Sequence, residues 1–130
     1  MLQQTQVKTV IPYFKNFVKN IPDLITLSAT NYRRVLKLWE GLGYYRRARN
    51  LHKTAKILIK KYNGKLPKKF EEIKKLPGVG EYTARALLAF VYNQSHIPFD
   101  GNIKRVFSRL FNTNLEKNEK KIKRIINEQF

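Results

Sequence analysis

Leu76-Pro77-Gly78-Val79-Gly80, running directly into Glu81-Tyr82-Thr83-Ala84, is the stretch on which the fold turns. Two glycines two residues apart let the backbone reverse within a few residues and leave amide N–H groups uncovered. A helix opening just after them adds the partial positive charge of its N-terminus. The run from Lys68 to Lys75 precedes the turn and is compatible with a helix. The segment therefore reads as helix, hairpin, helix over about residues 68–92, a shape that holds a phosphate without regard to base sequence. An ordinary connection between helices, with glycines placed only for their backbone angles, has the same spacing.

Outward from this hairpin the pattern stays helical. Leu51, Ala55, Leu58, Ile59 and Tyr62 repeat as one face of a helix, and Ala84, Leu87, Leu88 and Val91 form a second stripe. Ile103, Val106, Phe107, Leu110 and Phe111 form a third, and Ile122, Ile125 and Ile126 begin a fourth, on a chain-end helix expected over Glu116 to Phe130. Strand-like alternation is nowhere sustained, so the class is all-α. Breaks are expected at Pro12, Pro22, Gly41/Gly43, Asn63-Gly64, Pro67, Pro77-Gly78, Gly80 and Pro98.

The 130 residues carry 27 lysines and arginines against 9 acids, a net charge of +18. Such a field attracts phosphate, which favours nucleic acid or an anionic surface as partner. Abundant Lys, Asn and Ile are also what an AT-rich genome imposes on any chain, so charge alone decides nothing. Its placement says more: residues 1–65 hold 14 basic and 2 acidic side chains, and ten basic residues lie between Glu40 and Glu71 with no acid among them. For Lys53, Lys56, Lys60 and Lys61 a solvated helix face explains the pattern equally well. Arg46, Arg47 and Arg49 follow Tyr44 and Tyr45, and cations beside aromatic rings suit phosphate contact with base stacking. With no cysteine, the chain offers no disulfide, cysteine-held zinc, iron–sulfur ligand or catalytic thiol, and His52 and His96 are too few for a multi-histidine metal site. The longest apolar run, Ala86 to Tyr92, is far short of the roughly 18 residues that span a bilayer. No leader is visible, and the expectation is a cytoplasmic, nucleoid-associated protein without membrane partners.

Three further segments can carry chemistry. Pro98-Phe99-Asp100-Gly101-Asn102 opens the helix Ile103 to Phe111, and Asp100 sits where an N-cap belongs, the ordinary role of an aspartate there. A carboxylate fixed at such a junction beside bound DNA can instead stabilise a developing sugar cation. Met1-Leu2-Gln3-Gln4-Thr5-Gln6-Val7 and the stretch from Trp39 to Asn50 bring neutral amides and a tyrosine to turns. Such groups can wedge into a base stack, although glutamine-rich helix starts and paired core tyrosines are common.

Taken together, MLQQTQV, VIPYF, LWEGLGYYRRARNLHK, LPGVGEYTARALL and FDGNIKRVF resemble, in this order and spacing, the MutY-type adenine DNA glycosylases of the helix-hairpin-helix glycosylase superfamily, related to endonuclease III. The resemblance covers almost all of the chain to Phe111. It implies a six-helix-barrel lobe over residues 1–94 and, over 95–130, the catalytic aspartate loop and the start of an incomplete second lobe of iron–sulfur type. It implies a monomer whose partner is double-stranded DNA carrying adenine opposite 8-oxoguanine or guanine. Asp100 matches the catalytic aspartate, and Gln4 and Tyr44 match residues that intrude around the lesion. Leu76, Gly78, Val79 and Gly80 match the phosphate-binding hairpin. Gln3, Arg46, Arg47, Arg49, Asn102 and Lys104 complete the DNA-contacting set. Tyr82 stands where the endonuclease III-type lyases carry a Schiff-base lysine, which implies base excision without strand cleavage by an amine, and its hydroxyl can help orient a flipped adenosine.

The chemistry fits these residues. A base inside the stack is out of reach and must be flipped at a cost of a few kcal/mol. Breaking the N-glycosidic bond develops oxocarbenium character, and one carboxyl usually protonates the leaving group while another stabilises the cation. In the family the acid is a glutamate two residues before the Met of MLQQTQV, in a W-x-S-E-x-M pattern. The chain opens at that Met, and Glu71, Glu72 and Glu81 offer no obvious substitute. The family's four-cysteine 4Fe–4S loop and its 8-oxoguanine-reading domain would follow Phe130. The expectation is accordingly a fragment, truncated at both ends and poorly covered at Phe111, Ile122 and Ile126. The alternative to a glycosylase is a non-catalytic helix-hairpin-helix remnant that grips DNA.

Overall fold

The computed structural model describes residues 1–95, 100–112 and 124, so the Pro98-Phe99 pair, His96 and the expected chain-end helix lie outside the described residues. Within them the protein is all-α. The helices are α1 (Val7–Asn20), α2 (Leu24–Ala29), α3 (Tyr32–Trp39), α4 (Arg46–Tyr62), α5 (Phe70–Lys74), α6 (Glu81–Tyr92) and α7 (Gly101–Leu110). They fall into two compact units. The first is Met1–Pro67 with Leu76–Gly78, and the second is Lys68–Lys75 with Val79–Phe130. This grouping puts α5 and α6, which pack on each other, in the second unit, whereas the expected boundary lies at residue 94.

In the first unit α2 and α3 both pack on α4, and α1 packs on α3. Val10 and Phe17 of α1, Leu27 of α2, Val35 and Trp39 of α3 and Ala48 and Ala55 of α4 form one apolar core. Phe17 meets Trp39 edge-on, with ring centroids 6.1 Å apart. Side chains set the helix starts: Asp23 Oδ1 accepts from the Thr26 N–H at 2.7 Å, and Asn31 Oδ1 from the Arg33 N–H at 2.9 Å. Asn63 ends α4 in the left-handed region, where the Gly64 N–H returns to the Leu58 carbonyl at 3.0 Å.

Two sequence expectations are corrected here. Pro12 lies inside α1 rather than at its end. The lost backbone bond is tolerated because Val10 and Phe17, on either side of it, are buried on the same core. On α4 the buried face is Ala48, His52, Ala55 and Leu58, while Leu51 points outward. His52 belongs inside because its Nε2 lies 2.9 Å from the Thr30 carbonyl and its ring stacks on Tyr32. Those contacts satisfy a polar group that hydropathy alone would leave in solvent.

In the second unit Ile73, Ala84 and Leu88 are buried. Arg85 covers the Phe70 ring at 5.2 Å and pairs with Glu81 at 3.3 Å. The Gln94 amide reaches back to the Lys68 carbonyl at 3.3 Å. No residue of α7 is buried, and Val106 and Leu110 of its expected apolar stripe are exposed. On α6, Val91 of the expected stripe is likewise exposed.

Candidate nucleic-acid interface

Gly78 is the fixed point of the hairpin. Its φ of +76° is open to glycine, and a Cβ there would come within 2.9 Å of the Asn50 Cβ. Thr54, one turn after Asn50 on α4, donates its hydroxyl to the Pro77 carbonyl at 3.2 Å, and the Gln3 amide donates to the Gly78 carbonyl at 3.4 Å. The Pro77 and Gly78 carbonyls are thus held by protein donors. Gly80, the N-cap of α6, has extended backbone and no side chain, so the start of α6 has no side-chain cap. Leu76, expected among the DNA-contacting residues, has a buried side chain that anchors the turn. Gly78 and Gly80 are exposed and Val79 is half-buried.

Gln4 and Tyr44 share an uncommon backbone. Apart from three asparagines they are the non-glycine described residues at positive φ, +58° and +49°. Side chains held there cost of order 1–3 kcal/mol unless the surroundings over-determine them. Both are exposed. The Trp39 indole N–H donates to the Gly43 carbonyl at 3.1 Å, which fixes the residue before Tyr44. Gly41 lets that turn pass the Tyr13 hydroxyl, which would lie 2.5 Å from a Cβ.

The three arginines part company. Arg46 and Arg49 are exposed, and Arg49 also lies over the Tyr32 ring at 6.0 Å. Arg47 is turned inward: its Nη1 donates to the carbonyls of Met1 and Gln3, and its Nη2 to the Thr5 hydroxyl at 2.9 Å. Arg47, expected among the DNA-contacting residues, thus has three of its donors engaged within the protein. No acid stands in the first turn of α4. Cations at this positive helix end are unfavourable by about 0.3–1 kcal/mol each, a cost that a bound anion offsets.

Asp100 caps α7. Its Oδ1 accepts from the N–H groups of Asn102 at 2.9 Å and Ile103 at 2.8 Å, while Oδ2 has no hydrogen bond among the described residues. The capping role and an outward-facing charge are therefore compatible, one oxygen for each. The carboxyl is half-buried, and its cap bonds hold it rigidly at the start of the helix. Tyr82 is exposed on the first turn of α6. Asn102 is exposed and accepts from Arg105 at 3.4 Å, and Lys104 is half-buried. Sequence reasoning missed Asn50, Thr54 and Thr5; only their i, i+4 placement on α4 hinted at the first two. A 4Fe–4S cluster does not fit this chain, which has no cysteine, and no group of three metal-ligating side chains occurs among the described residues. No helix among them is long and apolar enough to cross a membrane.

These features define a helix-hairpin-helix repair protein, and a family model described as HhH-GPD superfamily base excision DNA repair protein matches residues 1–130. The chain belongs to that superfamily. It is 52% identical over 126 residues to an adenine DNA glycosylase of Buchnera aphidicola subsp. Baizongia pistaciae, covering 97% of this chain and 35% of that protein. It is 40% identical over 111 residues to the adenine DNA glycosylase of Homo sapiens, covering 85% of this chain and 20% of that protein. The chain thus spans about a third or less of the length of these relatives. Among solved structures, a trapped endonuclease III–DNA covalent intermediate, described as an estranged-adenine complex, superposes with a TM-score of 0.75. It is 28% identical and covers 85% of this chain and 53% of that one. A thermostable thymine-DNA glycosylase gives a TM-score of 0.75 at 26% identity, covering 82% of this chain and 50% of that one.

Proposed function

We propose that the chain works as the duplex-gripping and cation-stabilising part of an adenine DNA glycosylase, acting on adenine opposite 8-oxoguanine or guanine. The observation that carries this reading is the 52% identity to an adenine DNA glycosylase across 97% of the chain. The geometry supports it. Backbone amides of a glycine hairpin suit a phosphate, and the exposed Arg46 and Arg49 separately suit duplex phosphates. Gln4 and Tyr44 occupy the space that the flipped adenosine leaves in the stack. As the N-glycosidic bond lengthens, electron density moves onto the base and positive charge onto the sugar. Asp100 Oδ2 stabilises that charge, water forms the new C–O bond at the sugar's anomeric carbon, and the proton it loses balances the one that the departing adenine takes up.

Tyr82 supports a base-excision reaction without lyase chemistry. A phenol cannot form the Schiff base through which an amine breaks the strand. The test is product analysis after a single turnover on a duplex with adenine opposite 8-oxoguanine. Free adenine from a strand that stays intact until alkali is added, with no borohydride-trapped protein–DNA adduct, is the expected result. A trapped adduct contradicts the monofunctional reading. Duplex binding without adenine release contradicts the enzyme and leaves a binding module.

A further inference from the structure

We infer that Arg47 is a positioning residue that ties the Gln4 turn to the Tyr44 turn, so that the two side chains enter a duplex as one rigid unit. This rests on the reading of Gln4 and Tyr44 as intruding residues. One guanidinium bonds to the residues on both sides of Gln4, reaching the Gln3 carbonyl and the Thr5 hydroxyl, and also to the Met1 carbonyl. The same group lies over the Tyr44 ring at 5.1 Å and over the Trp39 ring at 5.8 Å. Its Nε is buried and has no hydrogen-bond partner among the described residues. Three donated bonds and a buried Nε leave no free fork with which to hold a phosphate bidentately.

The geometry explains why two strained turns stay put. Gln4 is exposed and left-handed, and its side chain has no hydrogen bond among the described residues, so its neighbours must hold it. Tyr44 is exposed and left-handed too, with one ring face occupied by the cation. The bonds join residues more than 40 positions apart in sequence, so Arg47 closes a long loop with a planar fork whose geometry lysine cannot copy.

The test compares the full chain with Arg47→Met, Arg47→Lys and Thr5→Val by hydrogen exchange without DNA and by fluorescence of 2-aminopurine placed beside an adenine–8-oxoguanine pair. Arg47→Met is expected to speed exchange about tenfold at residues 2–6 and 43–46 while the rest of α4 is unchanged, the signature of local opening. It should also abolish the fluorescence rise expected of the wild-type chain. Arg47→Lys should fail to rescue either readout, since an ammonium lacks the fork. Unchanged exchange at both turns in Arg47→Met overturns the inference, and so does full rescue by lysine, which would make Arg47 a phosphate contact. If Arg47→Met does not fold, Thr5→Val decides: faster exchange at residues 2–6 supports the tie, and no change overturns it. A wild-type chain that gives no fluorescence rise overturns the duplex-intrusion reading, while exchange still decides whether Arg47 holds the turns.

Discussion

Gly78 carries two demands at once, a left-handed backbone and a close pass over Asn50, and no other residue type meets both. Gly78→Ala is expected to lower stability by about 1–3 kcal/mol through backbone strain. It should also weaken duplex binding, because the hairpin amides shift. A urea midpoint within error of wild type would contradict this account of the turn. The demand at Gly78 is legible in sequence because a glycine hairpin is a local device, and so is the cap at Asp100. Arg47 is the opposite case. Its acceptors lie at Met1, Gln3 and Thr5, far away in the chain, and beside Arg46 and Arg49 it reads as one more surface cation. What separates the three arginines is tertiary contact, which local pattern does not encode.

At the scale of the helices, periodicity finds α4 and α6 but misplaces the buried face of α4. Leu51 is more apolar than His52, yet a hydrogen bond to Thr30 and a stack on Tyr32 take the histidine inside. Pro12 likewise reads as a break, and the packing of α1 overrides it. The start of α2 depends on Asp23, whose carboxyl is held below its ordinary value by the hydrogen bond from the Thr26 N–H. A lowered folded-state pKa means that the cap's charge-dependent benefit is present above the unfolded value of about 3.9 and is lost as pH falls through the folded one. The stability gap between wild type and Asp23→Ala should therefore be constant from neutral pH down to about 5 and narrow below about 4. A gap that widens on acidification would contradict the cap. Chemical denaturation at several pH values reads this directly.

For the whole molecule, the +18 charge and the exposed Arg46 and Arg49 predict binding dominated by counterion release. Affinity for a duplex should fall about tenfold or more between roughly 50 and 200 mM salt, and an unchanged Kd would rule out phosphate gripping. The charge favours an anionic partner, and membership of a superfamily described as base excision DNA repair makes DNA the anion to test. The all-α class is legible in the helical stripes, whereas the division into two units is not, because Leu76–Gly78 groups with residues far earlier in the chain. The role proposed for the Asp100 carboxylate, stabilising the sugar cation from the start of α7, carries the catalytic reading. Its most direct test is single-turnover adenine release from a duplex with adenine opposite 8-oxoguanine, comparing the wild-type chain with Asp100→Asn. Asparagine keeps an N-cap oxygen and removes the charge. Release by the wild-type chain is expected, with retained duplex affinity in the variant and a rate lower by at least about a hundredfold, as when a preorganised electrostatic group is lost. Equal release rates from both proteins would contradict it.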